Sequence, residues 1–429
     1  DNHDGFWAEI SKHIDLEEVT GLERFLGRHH VFSKDADGNP AVAFDMQAYA
    51  QQTVDLYLAS TAAVQHLVAP AAGGASDGKK EVKLKPASTP FCPDGSLLAI
   101  DDEEKGELSS AACSILMKAL WLARLARPDI LKAIGDLASH VQKWSRNDDK
   151  KLYRLICYIN STKHFLLKGK VGDPLEQLKL RLYVDADFCG DKLDTKSTNG
   201  GYLVLVGPNT FFPLVWVSRK QTATSRSTTE SEIVSLAHSL FLEALPMLDM
   251  FDTIKGSAFE LEICEDNQAA IIVAKDGFSQ KLRHILRTHK VNIGSIKEVI
   301  DQPYCSLEYI DTKLQAADIF TKALEPSKWQ NALHLLSIDD SESRAAPGCA
   351  GRVTGCAAPR CASRAQCPRR LHIDGTHFSK RGERKYIEWF PRFCDSYKLP
   401  LCVQSDRHLY AFNETNDSHM LDADLAQAA

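Results

Sequence analysis

Leu178-Lys179-Leu180-Arg181-Leu182-Tyr183-Val184-Asp185-Ala186-Asp187-Phe188 is the stretch whose reading decides the fold. Before Gly172-Asp173-Pro174 the apolar residues recur at helical spacing. After it they alternate, so residues 178–188 read as a strand running into two aspartates. Residues 200–206 and 211–217 are two more short strands around the turn signal Gly207-Pro208-Asn209, and the three form an antiparallel meander. Residues 228–254 open with a Ser/Thr-rich cap and keep Ile233, Leu236, Leu240 and Ala244 on one stripe, an amphipathic helix that Pro246 is expected to kink or end early. A fourth strand at 259–264, a helix from Gln268, a longer basic helical stretch from Lys281, a fifth strand at 306–310 and a helix at 314–324 complete the unit. The expected class is α/β, a mixed five-stranded sheet flanked by helices in the order β-β-β-α-β-α-α-β-α.

Outward from this unit the patterning changes twice. Upstream, residues 46–63 and three segments within 109–167 carry helical periodicity, with Arg127-Pro128-Asp129 as a stop and restart, while residues 70–85 lack periodicity and read as a flexible linker. Downstream, residues 343–370 are dominated by Ala, Arg, Cys, Pro and Gly, which predicts disorder, and the aromatic content of 371–410 supports no fold assignment. Cys349, Cys356, Cys361 and Cys367, with His372 and His377, are spaced too irregularly for a structural zinc site.

With 429 residues, 44% of them hydrophobic and 25% charged, the chain has room for two or three globular domains. The net charge of −6 argues against nucleic-acid binding by bulk electrostatics. Residues 277–297 are the local exception, with Lys281, Arg283, Arg287, Lys290 and Lys297 beside His284 and His289, although a solvated charged helix is the simpler account of that run. The chain has no run of eighteen apolar residues, no signal-like start and scattered cysteines, so an intracellular protein, cytoplasmic or nuclear, with reduced thiols and no membrane partner is expected; the start without Met suggests a piece of something longer.

Four acids sit where the expected elements begin or end: Asp185, Glu232, Asp266 and Asp318. Two carboxylates roughly 4 Å apart repel by about 4 kcal/mol at an effective dielectric of about 20. Hard cations, Mg²⁺ or Mn²⁺, relieve that repulsion, and a pair of them activates water and stabilises the leaving oxygen in phosphodiester hydrolysis. Spacing alone leaves surface carboxylates as the simpler account, since the chain has 57 acidic residues. It also leaves two choices open. Asp185 and Asp187 lie on the same face of a strand, and a helical wheel puts Glu230 nearer the apolar stripe than Glu232, where it faces the sheet edge or only caps the helix.

Tyr183-Val184-Asp185-Ala186-Asp187-Phe188-Cys189-Gly190-Asp191 and Lys196-Ser197-Thr198-Asn199-Gly200-Gly201-Tyr202, then Val215-Trp216-Val217-Ser218-Arg219-Lys220-Gln221, Ser227-Thr228-Thr229-Glu230-Ser231-Glu232, Asp266-Asn267-Gln268-Ala269-Ala270 and Ala316-Ala317-Asp318-Ile319-Phe320-Thr321-Lys322, resemble in order the RNase H domain of copia-type retrotransposon Pol polyproteins. The resemblance implies an RNase H-like fold over residues 178–330 and an endoribonuclease that cleaves the RNA strand of an RNA-DNA hybrid. Its metal-binding catalytic acids fall on Asp185, Glu232, Asp266 and Asp318, with two Mg²⁺ or Mn²⁺ ions. Gln268 matches a residue that contacts the hybrid's minor groove, and Thr228 sits where a cap-region side chain reaches substrate. Simple capping is the alternative for both. Discrimination of RNA would come from the 2′-hydroxyl. One departure stands out: Arg283-His284-Ile285-Leu286-Arg287-Thr288-His289 lacks the family's acid, and its histidines read more readily as packed or solvated than as proton carriers.

Upstream, Leu22-Glu23-Arg24-Phe25-Leu26-Gly27 and Ser88-Thr89-Pro90 resemble the end of a copia-type reverse transcriptase palm. Residues 120–130 and 155–163 resemble its thumb and connection. The expected organisation is therefore a palm remnant at 1–69, a linker at 70–108, a mainly helical thumb and connection at 109–172, the RNase H-like domain and an irregular tail at 339–429. No Tyr-x-Asp-Asp motif precedes Leu22, and Asp101-Asp102 reads as a loop, so no polymerase activity is expected and the missing palm and fingers are implied partners. Two other readings compete: a decayed element that at most binds nucleic acid, and an integrase-type nuclease, which normally uses three acids.

Overall fold

The computed structural model describes residues 3–14, 23–68, 82–93, 95–190, 195–340, 402–405 and 408–411. The chain divides into two compact units, one running Leu26–Ala346 and the other combining Asp1–Phe25 with Pro347–Ala429. In the second unit the described elements include the helix His3–Ile10 and an antiparallel hairpin, Cys402–Ser405 with His408–Ala411, which is regular structure within a tail expected to be irregular. The expected disorder at 343–370, the Cys349 to His377 group and most of the flexible stretch 70–85 lie outside the described residues.

The large unit is built on one mixed sheet. Its strands are β1 (Arg28–Lys34), β2 (Pro40–Asp45), β3 (Phe165–Lys170), β4 (Lys179–Asp187), β5 (Thr198–Gly207), β6 (Thr210–Lys220), β7 (Leu261–Glu265), β8 (Cys305–Tyr309) and β9 (Ile338–Asp340). Its main helices are α1 (Gln47–Val68), α2 (Ala112–Leu125), α3 (Leu131–Ala138), α4 (Arg146–Ser161), α5 (Thr228–Ser239), α6 (Leu245–Lys255), α7 (Gln268–Asp276), α8 (Ile293–Ile300), α9 (Asp318–Thr321) and α10 (Pro326–Leu335). The strands run in the order β1-β2-β3-β6-β5-β4-β7-β8, with β9 on β3. β4 is antiparallel to β5 and parallel to β7, and β7 is parallel to β8, so the five expected strands form an RNase H-like mixed sheet.

Side-chain alternation in β4 and β5 divides two cores, because successive residues point to opposite faces. Leu180, Leu182, Val184, Leu203 and Leu205 meet Ile233, Leu236 and Leu240 of the long helix on one face. Tyr183, Tyr202, Val204 and Val206 share the other core with Ile115, Leu155, Ile156 and Phe320. Helices expected to form a separate thumb and connection thus cover the second face of the mixed sheet. The period change near residue 172 is a change of element, with no break in packing. β1 and β2, in the expected palm remnant, and β3, at the end of the mainly helical segment, extend the same sheet, with Lys170 of β3 opposite Phe211 of β6.

Several local expectations are revised. The end of the expected linker packs on α4: Ala87 and Thr89 are buried, Arg154 Nε donates to the Thr89 carbonyl at 2.9 Å, and Tyr153 Oη to the Lys83 carbonyl at 2.8 Å. Asp101-Asp102 lies in a helical turn, Ile100–Glu103, where Asn147 Nδ2 donates to Asp102 at 2.8 Å and Lys150 pairs with Asp101. Pro246 does not end the long helix; a π turn at Leu240–Ala244 absorbs the irregularity and leaves the proline at the start of α6, where its missing N–H costs nothing. The run Thr228–Lys255 is long and apolar enough to cross a bilayer, but 56% of its most apolar window is buried in the protein. The basic stretch after Gly277 is broken into the turn Gln280–Leu282, the short helix Ile285–Thr288 and α8, with Lys290 at φ 60° between the last two. The helix expected over 314–324 is reduced to α9, and Lys322 is already extended.

Candidate active site

Asp185, near the end of β4, is 1% exposed, and its surroundings hold it from three sides. Ser235 Oγ, from α5, donates to its main-chain oxygen at 2.7 Å, and Gln315 Nε2 donates to the preceding Val184 carbonyl at 2.9 Å. From α9, the Thr321 hydroxyl donates to the Asp185 carboxylate. The close approach of α9 depends on Gly200, opposite Asp185 on β5: a Cβ there would lie 2.5 Å from Thr321 Cγ2 and 3.0 Å from the Ala317 carbonyl.

Three other acids converge on this point. Glu232 lies three residues before Ser235 on α5, hence on the same helix face, and is 6% exposed. Asp266 follows β7 directly, and one of its oxygens accepts from Thr312 Oγ1 at 2.8 Å. Asp318 opens α9. Carboxylate oxygens of Asp185, Asp266 and Asp318 lie within 4.8 Å of one another, and so do those of Glu232, Glu265 and Asp266. All four expected acids therefore belong to two trios that share Asp266. Asp185, Glu232 and Asp266 border an open cleft of about 720 Å³, whose lining also includes Asp187, Thr228, Gln268 and Lys322.

Two further residues belong to the site. Lys322, four residues after Asp318, places its ammonium 3.1 Å from Asp185 Oδ1 and 2.7 Å from Asp318 Oδ1. Burial works against that charge, but Asp185 and Asp318 outweigh it and raise the lysine above its ordinary value. Glu265, the last residue of β7, is 0% exposed. Its only sequence signal is adjacency to Asp266 at a strand end.

The field among these groups is strongly negative. Burial, then the charges of Glu265, Asp185 and Asp266, push the Glu232 carboxyl far above the usual range, and burial does the same to Glu265. Asp318 rises to about 6 through burial and Asp185, with Lys322 opposing. Glu232 Oε2 and Glu265 Oε2 are buried without a hydrogen-bond partner. Oxygen-only donors with unsatisfied lone pairs suit a hard divalent cation.

The paired acids that spacing left open have different surroundings. Asp187 lines the cleft but belongs to neither trio: it accepts from the Thr198 main-chain N–H and lies 3.9 Å from Lys132 Nζ of α3. Glu230 is occupied as a cap, accepting from the Arg226 N–H at 2.9 Å while Ser227 Oγ accepts from the Glu230 N–H at 3.2 Å. His284 and His289 face Glu230, at 3.0 and 3.4 Å, and neither lines the cleft. Thr228 and Gln268 are exposed first residues of α5 and α7. The capping acceptors are their neighbours Ser227 and Asn267, which leaves both side chains at the cleft.

Fold and site together define an α/β protein whose mixed sheet carries a cluster of carboxylates at its strand ends. No protein-family model matches the chain. It is 28% identical over 261 residues, 58% of its length, to the retrovirus-related Pol polyprotein from transposon RE1 of Arabidopsis thaliana, and 28% identical over 240 residues to that from transposon RE2 of the same plant. It spans only 16% and 15% of those polyproteins. Over 121 residues it is 30% identical to secreted RxLR effector protein 161 of Plasmopara viticola, covering 80% of that protein and 28% of this chain. Among solved structures, LC11-RNase H1, isolated from compost by a metagenomic approach, is 20% identical with a TM-score of 0.23, covering 33% of this chain and 92% of its own. The chain is thus a homologue of retrovirus-related Pol polyproteins of copia-type transposons over a little more than half of its length.

Proposed function

We propose that the chain is a metal-dependent endoribonuclease that hydrolyses the RNA strand of RNA-DNA hybrids as part of a reverse transcriptase and RNase H polyprotein. The observation that carries this reading is the convergence of Asp185, Glu232, Asp266 and Asp318, drawn from four elements distant in sequence, into two trios that share Asp266, with Asp185, Glu232 and Asp266 lining one open cleft. These four would hold two Mg²⁺ or Mn²⁺ ions, which when bound supply an activated water and stabilise the leaving oxygen. The protein's own part is placement. Ser235, Gln315 and Thr321 fix the Asp185 backbone and carboxylate, and Lys322 balances two of the charges until cations arrive. Thr228 and Gln268 stand at the first turns of two helices on the rim, where their side chains would meet the phosphate backbone and the 2′-hydroxyls of the wide minor groove of a bound hybrid. No polymerase role is proposed for Asp101 and Asp102, which are held by Lys150 and Asn147. Four acids from the expected positions, where an integrase-type site normally uses three, favour the hybrid nuclease.

The test is incubation of the full chain with a labelled RNA-DNA hybrid and Mg²⁺. RNA cleavage is expected, removed by chelation and lowered at least a hundredfold in Asp185→Asn, an effect of the size expected when a group that stabilises transition-state charge is lost. Hybrid binding without cleavage by the wild type would instead assign a relic that only binds nucleic acid.

A further inference from the structure

We propose that Glu265 is a fifth carboxylate of the acidic cluster, and that Glu232, Glu265 and Asp266 form a seat for a hard divalent cation, Mg²⁺ or Mn²⁺, beside the one formed by Asp185, Asp266 and Asp318. The inference deepens the nuclease reading above and rests on it. Glu265 is the last residue of β7 and 0% exposed. One of its oxygens accepts from the Asn267 main-chain N–H at 3.0 Å, and the other, Oε2, is buried with no hydrogen-bond partner. Glu232, 6% exposed, faces it with a second buried Oε2 in the same condition. Oxygens of the three acids lie within 4.8 Å of one another.

The lysine of the site reaches this trio only through its charge, which acts on Glu232 against the larger effect of burial. Lys322 directs its hydrogen bonds to Asp185 and Asp318, and among the described residues no cation is hydrogen-bonded to Glu232 or Glu265. A charged oxygen buried without a donor is strongly unfavourable, and two facing each other compound the cost. A cation bound by oxygen ligands satisfies both at once, and hard oxygen donors select Mg²⁺ or Mn²⁺ over thiophilic metals. Asp266 belongs to both trios and is therefore the carboxylate shared between two seats. The position of Glu265 agrees with this role: the parallel strand β7 ends there, on the edge where ligands of such sheets bind.

Mn²⁺ titrated into the full chain, read by calorimetry and by loss of the free-ion paramagnetic resonance signal, tests the proposal. The wild type is expected to bind two ions. Glu265→Gln, which keeps the side-chain volume and an acceptor for Asn267, is expected to weaken one of them at least tenfold. Asp318→Asn is expected to weaken the other and keep the one that depends on Glu265. A Glu265→Gln protein that binds both ions as the wild type does overturns the proposal, as does a wild type that binds fewer than two. The metal-free Glu265→Gln protein is expected to melt no lower than the wild type, since the amide keeps the volume and the Asn267 acceptor of a carboxyl whose charged form burial disfavours; a large drop would mark Glu265 as structural and overturn the assignment. Hybrid cleavage on the same preparations separates the two readings. Cleavage with unchanged Mn²⁺ binding in Glu265→Gln removes the second seat alone, whereas two bound ions without cleavage remove the nuclease reading and leave the seat.

Discussion

Arg127 shows how much one buried residue can tie together. Its guanidinium, 2% exposed, donates to Asp129 at 2.9 and 2.7 Å and to the Thr162 carbonyl at 2.7 Å. Tyr158 Oη donates to the same Asp129, and Trp329 of α10 donates to Tyr158 at 3.1 Å. Arg127→Ala strips a buried charge of its partner and is expected to cost about 3–5 kcal/mol in denaturant unfolding; a loss below about 1 kcal/mol would show the pair to be nearly neutral. Asp148, 1% exposed, gives a pH test. Burial raises its carboxyl, but His140, the Ser145 N–H and Lys151 outweigh that and hold it below the usual carboxylate range. A folded value below the unfolded one means that the stabilisation is present at neutral pH and is lost as pH falls below about 4. The stability gap between wild type and Asp148→Asn should thus be widest near neutrality and close in acid, as unfolding curves across pH would reveal. At this scale the sequence carried identities well: the motif residues Asp185, Glu232, Asp266 and Asp318 are brought together. Lys322 and Glu265 were visible as letters only, because nothing in a linear pattern says which charge faces which.

Elements were legible where periodicity was long and poorly legible where the chain turns in short steps. β4, β5, β6 and the long helix follow their patterns closely. The stretch after Gln315 reads as a longer helix than the four residues of α9, because the apolar residues that suggest helix continuation, such as Leu324, pack against the shared core from an extended segment. That short element presents Asp318 and Lys322, and its seating depends on Gly200. Gly200→Ala forces a methyl into Thr321, which is expected to cost about 1–3 kcal/mol and to push α9 away from Asp185. Hybrid cleavage should fall at least about tenfold, since small misplacements at a reacting centre are expensive. A variant that is destabilised but cleaves at the wild-type rate would disconnect α9 from the site.

For the whole molecule, the central point is that Leu26–Ala346 is one compact unit. Tyr202 illustrates the dependence: its hydroxyl donates to the Leu336 carbonyl at 3.0 Å and its ring stands 5.9 Å from Phe320, in the core that also contains Leu155 and Ile156. A fragment restricted to residues 178–340 would expose that face to water. It is expected to lose cooperative unfolding and bind hydrophobic dyes, whereas residues 26–346 should unfold in a single transition; a cooperative melt of the short fragment at the temperature of the longer one would contradict this.

By itself the sequence determined the order and type of the main elements, the α/β class and the four acids in their family motifs, because period and motif are properties of neighbours along the chain. Only the tertiary structure decided that the upstream helices cover the second face of the sheet, that Asp187 and Glu230 turn to other partners, and that Glu265 and Lys322 join the carboxylates. Those outcomes depend on which buried surfaces and charges find one another across more than a hundred residues, where the free energy of burial and of charge pairing is set by neighbours in space.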